Sequence, residues 1–456
     1  MSETGVTWYD TARVKSPGHA RLTFDLDVDV CVIGGGLAGL TVAREVARRR
    51  WSVAVLEQNR LASAASGRNT GFVIPGFSED LDRLVERIGL DHTKQLWSLS
   101  EQGVEYVRRT IAETGMPGVD PVPGWLHVSK SDAGHESRSY VEQLRWVGCE
   151  VEAWTPERVR AVLPSPRYFS AVHYPTAFHI HPLNYALGLA ASAEAAGARI
   201  FEDTPALSID AAGVRKRIAT PSARVRAAHV VLAGNVQLGA LMPQLSATLL
   251  PVSTFVMVTE PIGPLLSEVI RYRGAVSDGE GADNHYRIVG GKDREEQRLQ
   301  WSGRVRTWPA DPRSAARGLV RDIRRAFPDL GPIEPAYLWR GTLGRPVHRM
   351  PQIGELDRGV WVASGFAGHG LNTTAMAGQL IARGIVENDE TWRLFAPFEL
   401  VWAGGLLGRA AAQSIYWGAQ PFDRLSQALA RRRERARTRK ERRRAAAGAG
   451  EERAAP

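Results

Sequence analysis

Apolar residues near the start of the chain follow first the period of a strand and then that of a helix. The β-branched run 28–32 predicts a buried strand, and the amphipathic, Ala-rich stretch that ends at Arg50 predicts a helix. A second apolar run over 53–56 predicts the next strand. From residue 28 onward, the sequence therefore predicts a strand, a helix and a strand of the kind that builds parallel sheets.

Later stretches show the same two periods. Helical patterns cover 81–88, 93–113 and 314–327, and strand patterns cover 125–128, 251–259, 285–289 and 299–302. Several of these strands follow one another without a helix between them. They therefore predict a second sheet that is mainly antiparallel.

Glycines connect the first strand to the first helix. Gly34 permits a tight turn, Gly36 leaves room for a pyrophosphate against the backbone, and Gly39 lets the helix lie close to the strand. Glu57 ends the second strand, 21 residues after Gly36, where a carboxylate can accept hydrogen bonds from ribose hydroxyls. This arrangement predicts a dinucleotide at the N-terminus of the helix, although the glycines do not separate NAD from FAD.

The segment 63–72 is small, polar and punctuated by glycine, so its backbone donors can wrap the ring end of an extended cofactor. Its core, Ser66-Gly67-Arg68-Asn69-Thr70-Gly71, resembles the S-G-R-N-x-G signature of the flavin amine oxidases related to D-amino-acid oxidase. That group includes glycine oxidases, sarcosine oxidases and γ-glutamylputrescine oxidases, and the resemblance is strongest to the last. FAD is therefore the predicted cofactor.

The resemblance extends from about residue 28 to about residue 417. It implies that Ala206 meets the adenine, that Ala233 and Gly234 pass the dinucleotide, and that the loop 365–372 starts a helix at the flavin. The cofactor-binding residues predicted in this way are Gly34, Gly36, Leu37, Ala38, Gly39, Glu57, Gln58, Ser66, Gly67, Arg68, Asn69, Thr70, Gly71, Ala206, Ala233, Gly234, Gly365, Phe366, Gly368, His369, Gly370 and Leu371.

Relatives with covalently bound flavin use a cysteine near the C-terminal loop or a histidine at the position of Arg68. This chain has neither residue there. The FAD is therefore predicted to be noncovalent.

The order of these segments predicts two interleaved domains in a 456-residue chain. A discontinuous, Rossmann-like α/β domain binds FAD, and an α+β domain with a mainly antiparallel sheet covers the flavin and holds the substrate. The predicted FAD domain comprises 28–80, 175–238 and 343–390, and the predicted substrate domain comprises 81–174 and 239–342. A helical segment, 391–429, and a disordered basic tail, 430–456, complete the predicted organisation.

Composition places the chain among ordinary globular proteins, with 44% hydrophobic residues. Cys31 and Cys149 are the two cysteines, too few for a disulfide framework and typical of a reducing compartment. No uninterrupted apolar run of 18 residues occurs, and the first 27 residues are mixed polar, so neither a transmembrane segment nor a basic-then-apolar leader is predicted. We therefore expect a cytoplasmic protein.

The formal charge of +9 is concentrated at the C-terminus. Residues 430–456 contain 11 Lys or Arg against 4 Asp or Glu, which leaves +2 for residues 1–429. Such a segment cannot bury apolar area, so it is predicted to be solvated. An anionic partner remains open for it: nucleic acid, a membrane surface or an acidic protein.

Amine oxidation by a flavin depends mainly on how the substrate is positioned. Tyr286 and Arg287 are candidate substrate contacts, because Arg pairs with carboxylates and Tyr shapes an amine pocket. The alternative is a cross-strand packing pair with a surface arginine. His369 and His348 are further candidates for positioning, while His179 and His181 are predicted to be structural, and no metal site is predicted.

The resemblance implies hydride transfer from the substrate Cα to flavin N5, giving an imine and then an aldehyde or keto acid, with O2 reduced to H2O2. The substrate is expected to be a primary or secondary amine or an amino acid. Three alternatives remain open: a dehydrogenase that passes electrons to a quinone or carrier protein, a flavin enzyme that modifies a tRNA base, and a flavoprotein that only binds.

Overall fold

The computed structural model describes residues 5–130, 134–278, 284–291, 293–308 and 310–416. The strands of these residues are β1 (Leu26–Ile33), β2 (Val53–Leu56), β3 (Phe72–Val73), β4 (Val122–Val128), β5 (Glu152–Trp154), β6 (Ala171–His179), β7 (Arg199–Phe201), β8 (Ser208–Asp210), β9 (Lys216–Ala219), β10 (Arg224–Leu232), β11 (Leu250–Thr259), β12 (Ala275–Asp278), β13 (Asn284–Val289), β14 (Arg298–Arg306), β15 (Pro335–Arg345), β16 (Gln352–Asp357) and β17 (Val360–Ser364).

Helices occupy most of the connections between these strands. They are α1 (Trp8–Thr11), α2 (Leu37–Arg48), α3 (Ala65–Arg68), α4 (Leu81–Ile88), α5 (Leu90–Thr114), α6 (Gly134–Trp146), α7 (Pro156–Val162), α8 (Pro182–Ala195), α9 (Pro243–Ser246), α10 (Pro264–Val269), α11 (Pro312–Ala326), α12 (Gly370–Glu387) and α13 (405–416). Short 3-10 helices cover Asn235–Leu241, Pro328–Leu330 and Thr391–Phe395.

The first sheet has the strand order β16-β17-β10-β1-β2-β7, and its central pairs are parallel. Side chains of β1 are buried on both faces: Val30 and Val32 pack with α2, α8 and α12, while Cys31 and Ile33 face a second apolar cluster. Burial on both faces explains why the run 28–32 is almost wholly apolar. This sheet draws its strands from three separate stretches of the chain.

The second sheet has the order β15-β11-β14-β13-β12-β4-β6-β3, and β5 pairs with β6. All its pairs are antiparallel except that between β4 and β12. Helix α11 packs through Leu319 and Ile323 across the face of this sheet that carries Tyr286 and Trp301, which is called the outer face. The predicted fold class, an α/β unit with a mainly antiparallel α+β unit, is confirmed.

Element ends differ modestly from the sequence predictions. The helix that starts at the C-terminal glycine loop begins at Gly370 and continues to Glu387, and β14 extends to Arg306. Within the predicted C-terminal helical segment, 391–395 and 405–416 are helical. Residues 417–429 and the predicted basic tail 430–456 lie outside the described residues. Among the described helices, none has both the length and the apolar composition required to cross a bilayer.

Candidate active site

The turn between β1 and α2 accepts only glycine at its key positions. Gly34 has a φ of +113°, and a Cβ atom there would lie 2.8 Å from the backbone of Ala233 at the end of β10. A Cβ atom at Gly39 would collide with the carbonyl oxygen of Gly34 and lie 3.0 Å from Val32 Cγ1. These contacts hold α2 directly against β1, and its N-terminus opens at the carboxyl edge of the sheet.

A cavity of about 440 Å³ lies at that edge. It lies where β1 is flanked by β2 on one side and β10 on the other, which is the usual ligand crevice of an open parallel sheet. The predicted cofactor residues that line it are Gly34, Gly36, Leu37, Ala38, Glu57, Gln58, Ser66, Ala206, Ala233, Gly234 and Phe366. Segments that are distant in sequence therefore meet around one space.

Glu57 is held at the cavity by backbone donors. Its Oε2 accepts from the Gly35 N–H at 2.7 Å, and its Oε1 accepts from the Asn59 N–H at 2.8 Å. Burial raises the pKa of this carboxyl group. Each oxygen keeps a lone pair with which it can accept a ribose hydroxyl.

The residues present fit the predicted FAD. Ser66 Oγ accepts from the Leu37 N–H at 3.0 Å, and a Cβ atom at Gly36 would lie 2.8 Å from that same oxygen. Leu37 and Ala38, in the first turn of α2, line the cavity, and the first N–H groups of a helix have no intrahelical partner, as a pyrophosphate site requires. A cradle formed by bare backbone, an acidic acceptor and a helix N-terminus matches the dinucleotide chemistry.

The loop of the S-G-R-N-T-G motif is held by its own side chains. Asn69 Nδ2 donates to the carbonyl oxygens of Ala65 and Ser66, and its Oδ1 accepts from the Gly71 N–H at 2.8 Å. Arg68 Nη2 donates to the Gly5 carbonyl oxygen at 2.9 Å. The predicted cofactor residues that do not line the cavity are Gly39, Gly67, Arg68, Asn69, Thr70, Gly71, Gly365, Gly368, His369, Gly370 and Leu371.

Arg287 is buried in β13, with 3% of its surface exposed. Its Nη1 donates to the Ile180 carbonyl oxygen at 2.6 Å and contacts His179 Nδ1 at 2.9 Å. Its Nη2 lies 3.1 Å from the hydroxyl of Tyr9 and 3.3 Å from Gln300 Oε1. These bonds tie β13 to α1, β6 and β14. They argue against the predicted substrate contact and equally against a surface arginine.

Strand alternation separates the two residues predicted to act together. Tyr286 is fully buried on the outer face of the sheet, where it stacks on Trp301 with ring centroids 4.4 Å apart. His285 and Arg287 point to the opposite face, because successive side chains of a strand alternate. The packing of Tyr286 argues against its predicted role in an amine pocket.

A row of polar side chains crosses that opposite face. His127, Ser277, His285 and Ser302 are direct register partners on β4, β12, β13 and β14. His285 also lies against Phe72, which follows the S-G-R-N-T-G loop. His127 and His285 are not among the sequence-predicted site residues. The alternation within β13 is the sequence signal that sets His285 on the face opposite Tyr286, but it does not indicate what that face contacts.

His369 joins this row from the loop before α12. Partial removal from water, and then the electrostatic repulsion that a charged His369 would meet from His285 and His127, lowers the pKa of His369 to about 4. Burial likewise lowers the pKa of His285 to about 4. Both rings are therefore neutral at physiological pH.

A serine hydroxyl engages Nδ1 of each of these two histidines. Ser277 Oγ accepts from Trp125 Nε1 at 2.9 Å and lies 2.7 Å from His285 Nδ1. Ser78 Oγ accepts from the Gly368 N–H at 2.9 Å and lies 3.3 Å from His369 Nδ1. Each hydroxyl that accepts one N–H keeps a proton and a second lone pair. When the serine donates to Nδ1, the ring proton lies on Nε2, which is the tautomer that leaves a donor for a ligand.

The remaining predicted histidines have local structural partners. His348 is buried, its Nδ1 accepts from the Met350 N–H at 3.1 Å, and its ring packs against Phe398. This argues against a positioning role for His348. His181 Nδ1 accepts from the Asn184 N–H at 3.1 Å and caps α8. Among the described residues, no group of three or more His, Cys, Asp or Glu is arranged to hold a metal ion.

Known proteins resemble this chain in sequence and in fold. The chain is 30% identical over 402 residues to gamma-glutamylputrescine oxidoreductase of Escherichia coli (strain K12), covering 87% of this chain and 92% of the relative. The crystal structure of glycine oxidase from Geobacillus kaustophilus superposes with a TM-score of 0.67 at 21% identity, covering 82% of this chain and 99% of that one. L-proline dehydrogenase from P. horikoshii superposes equally well, with a TM-score of 0.67 at 18% identity, covering 81% of this chain and 96% of that one.

A family model agrees with these relatives. The model described as DAO, FAD dependent oxidoreductase, matches residues 29–383, which is most of the chain. The match spans the glycine turn, the S-G-R-N-T-G loop and the C-terminal glycine loop. The chain therefore belongs to the family of FAD dependent oxidoreductases.

Proposed function

We propose that this protein oxidises an amine or amino acid whose nitrogen-bearing carbon lies near a carboxylate or amide group. The observation that carries the proposal is the pair of neutral histidines, His285 against Phe72 and His369 beside Ser78, where Phe72 and Ser78 come close after the S-G-R-N-T-G loop in sequence. The name of the Escherichia coli relative, a gamma-glutamylputrescine oxidoreductase, supports a substrate of this class.

The dinucleotide cavity would hold FAD through backbone and one carboxylate. Glu57 would accept from the ribose hydroxyls, and the first turn of α2 would face the pyrophosphate. Phe366, Thr342 and Thr374 also line this cavity and would border the ring system. The chemistry that bound FAD supplies is removal of a hydride from the carbon that bears the substrate nitrogen.

The histidine pair would recognise acceptor atoms of the substrate. A neutral imidazole with its proton on Nε2 donates one hydrogen bond and does not take a proton from the amine at neutral pH. His285 and His369 are therefore suited to carboxylate or amide oxygens rather than to the amine. Fixing these oxygens would orient the carbon that loses the hydride.

We propose O2 as the electron acceptor, so that each turnover consumes one O2 and one amine and gives one H2O2 and one imine, which water hydrolyses. The alternative acceptor is a quinone or carrier protein. The fold is compatible with both, because it is shared with a glycine oxidase and with an L-proline dehydrogenase. The proposed location is the cytoplasm, supported by two free cysteines, Cys31 and Cys149, which are buried.

The test is anaerobic titration of the purified holoenzyme with paired amines that differ only in a carboxylate or amide group. We expect the acylated or carboxylated member of a pair to bleach the flavin band, and the plain alkylamine to bleach it at least tenfold less efficiently. Equal bleaching by both members would contradict the proposed recognition. Admission of air then separates the acceptors: rapid recovery with peroxide supports an oxidase, whereas slow recovery that a quinone accelerates supports a dehydrogenase.

The proposed attachment of FAD is noncovalent. Arg68, at the position where covalent relatives carry histidine, bonds to the backbone of Gly5 and Ser63. We expect denaturation followed by ultrafiltration to release all flavin absorbance into the filtrate. Flavin that remains with the protein would contradict this prediction.

A further inference from the structure

Helix α13 turns its apolar side away from the protein. Leu406, Leu407 and Ile415 are 68%, 79% and 70% exposed. The exposed residues between them, Ala410, Ala411 and Ser414, follow Leu406 and Leu407 at a spacing of four and so extend the same side of the helix. Trp402, just before the helix, is 64% exposed. A surface helix of a globular protein normally faces its apolar side inward, so this orientation is reversed.

The inward side of α13 is held by polar contacts. Gln413 Oε1 accepts from the Thr307 N–H at 2.9 Å, and the Arg409 carbonyl oxygen accepts from Thr307 Oγ1 at 2.9 Å. Tyr416 Oη accepts from Arg345 at the end of β15. These bonds fix the rotation of the helix, so the outward position of Leu406 and Leu407 follows from the fold.

The chain that follows α13 is strongly basic. An Arg-rich stretch starts at Arg431, fifteen residues after Tyr416, and residues 430–456 carry a net charge of +7. An apolar helix face with tryptophan at its edge and a polybasic segment beside it in sequence are the two signals that together bind proteins to an anionic bilayer surface.

We propose that the exposed face of α13 and the basic C-terminal segment dock this protein on an anionic membrane surface. A nucleic acid would explain the arginines but leaves the exposed leucines without a partner. A second copy would explain the leucines but brings two segments of charge +7 together. An anionic lipid surface satisfies both features. The inference is independent of the proposed amine substrate.

The experiment is cosedimentation of the full-length holoenzyme with phosphatidylcholine vesicles that contain or lack phosphatidylglycerol. We expect binding to the anionic vesicles, weakened by salt, and little binding to the neutral ones. The variant Leu406→Ser/Leu407→Ser should bind about tenfold more weakly or worse. The triple variant Arg431→Gln/Arg432→Gln/Arg433→Gln should bind the anionic vesicles more weakly than wild type, and its binding should depend less on salt.

The matched control is Val214→Ser, because Val214 is 83% exposed on the β8–β9 connection, remote in sequence from α13. We expect it to bind like wild type. FAD content and amine turnover, measured on every variant, should stay unchanged, so failure here is distinct from failure of the proposed reaction. Three results would overturn the inference: equal binding to both vesicle types, full binding by the leucine variant, or a dimer that this variant dissociates without any vesicle binding.

Discussion

At the scale of single residues, the site depends on which face of a strand a side chain occupies. His285 and Arg287 share one face of β13, and Tyr286 occupies the other. On the shared face, the terminal nitrogens of Arg287 bond to protein groups. The ring of His285 contacts the Ser277 hydroxyl through Nδ1. Arg287 and Tyr286 therefore have structural roles, and His285 is the candidate for substrate contact.

Replacement of His285 tests this assignment. His285→Ala should raise the KM for the carboxylated or acylated amine about tenfold or more, because a hydrogen bond to a charged group is lost, while FAD content stays unchanged. Tyr286→Phe is the matched control, since its ring stacking on Trp301 persists, and its KM should equal that of wild type. A raised KM for Tyr286→Phe together with an unchanged KM for His285→Ala would show that Tyr286, and not His285, faces the substrate.

Glu57 has its own test. Glu57→Gln keeps the shape but replaces a carboxylate oxygen that accepts from the Gly35 or Asn59 N–H by an amide NH2. We expect FAD to dissociate about tenfold more readily, measured by the fluorescence of flavin released on dilution. Glu105→Gln on the exposed side of α5 should retain FAD like wild type. Equal retention by both variants would rule out a role for Glu57 at the cofactor.

At the scale of elements, the contact between α2 and β1 places the helix N-terminus at the cavity. The contact depends on the absence of a side chain at Gly39, where the Gly34 carbonyl oxygen and Val32 occupy the space. The same elements pack through Val30, Val32 and the apolar face of α2. Helix position and cofactor cradle are therefore coupled through one glycine.

Gly39→Ala should separate α2 from β1 and destabilise the protein by about 1–3 kcal/mol, with partial loss of FAD. Thermal unfolding and flavin content of the purified variant measure both effects. Gly18→Ala is the matched control, because its Cβ atom would make an ordinary contact 3.5 Å from the Arg60 side chain. A Gly39→Ala protein with wild-type stability would show that the close approach is not required.

At the scale of the whole molecule, several histidines are neutral because the fold removes them wholly or partly from water. Burial lowers the pKa of His285, His348 and His369 to about 4 and that of His181 to about 3. The unfolded chain binds protons at these groups from about pH 6.5 downward, whereas the native protein does not. Their contribution to stability is thus complete above about pH 6.5 and decreases as the pH falls toward 4.

The holoenzyme should therefore become acid-sensitive well above the titration range of its carboxylates. We expect the midpoint of thermal unfolding to fall by about 5 °C or more when the pH is lowered from about 7 to about 4.5. His348→Gln, which removes one titrating group that does not line the cavity, should give a shallower dependence on pH. A midpoint that stays constant over this range would contradict the depressed pKa values.

Much of this architecture could be predicted because its signals are local. The first strand, turn and helix, the antiparallel strands 251–259 and 285–289, and helix 314–327 all show their own periodicity and turn chemistry. Gly34 and Gly36, which line the cavity, are likewise identified by backbone requirements in one short stretch. Substrate residues are harder, since a histidine in a strand gives no local indication of what it faces.

By itself, the sequence determined the family, the fold class, the cofactor and the position of the dinucleotide turn, because each of these depends on neighbours along the chain. Only the tertiary structure decided that His127, His285 and His369, from three distant segments, gather in one place. It also decided that Arg287 binds Tyr9, 278 residues earlier, and that α13 exposes its leucines. These outcomes depend on long-range packing, which determines the face that each residue presents.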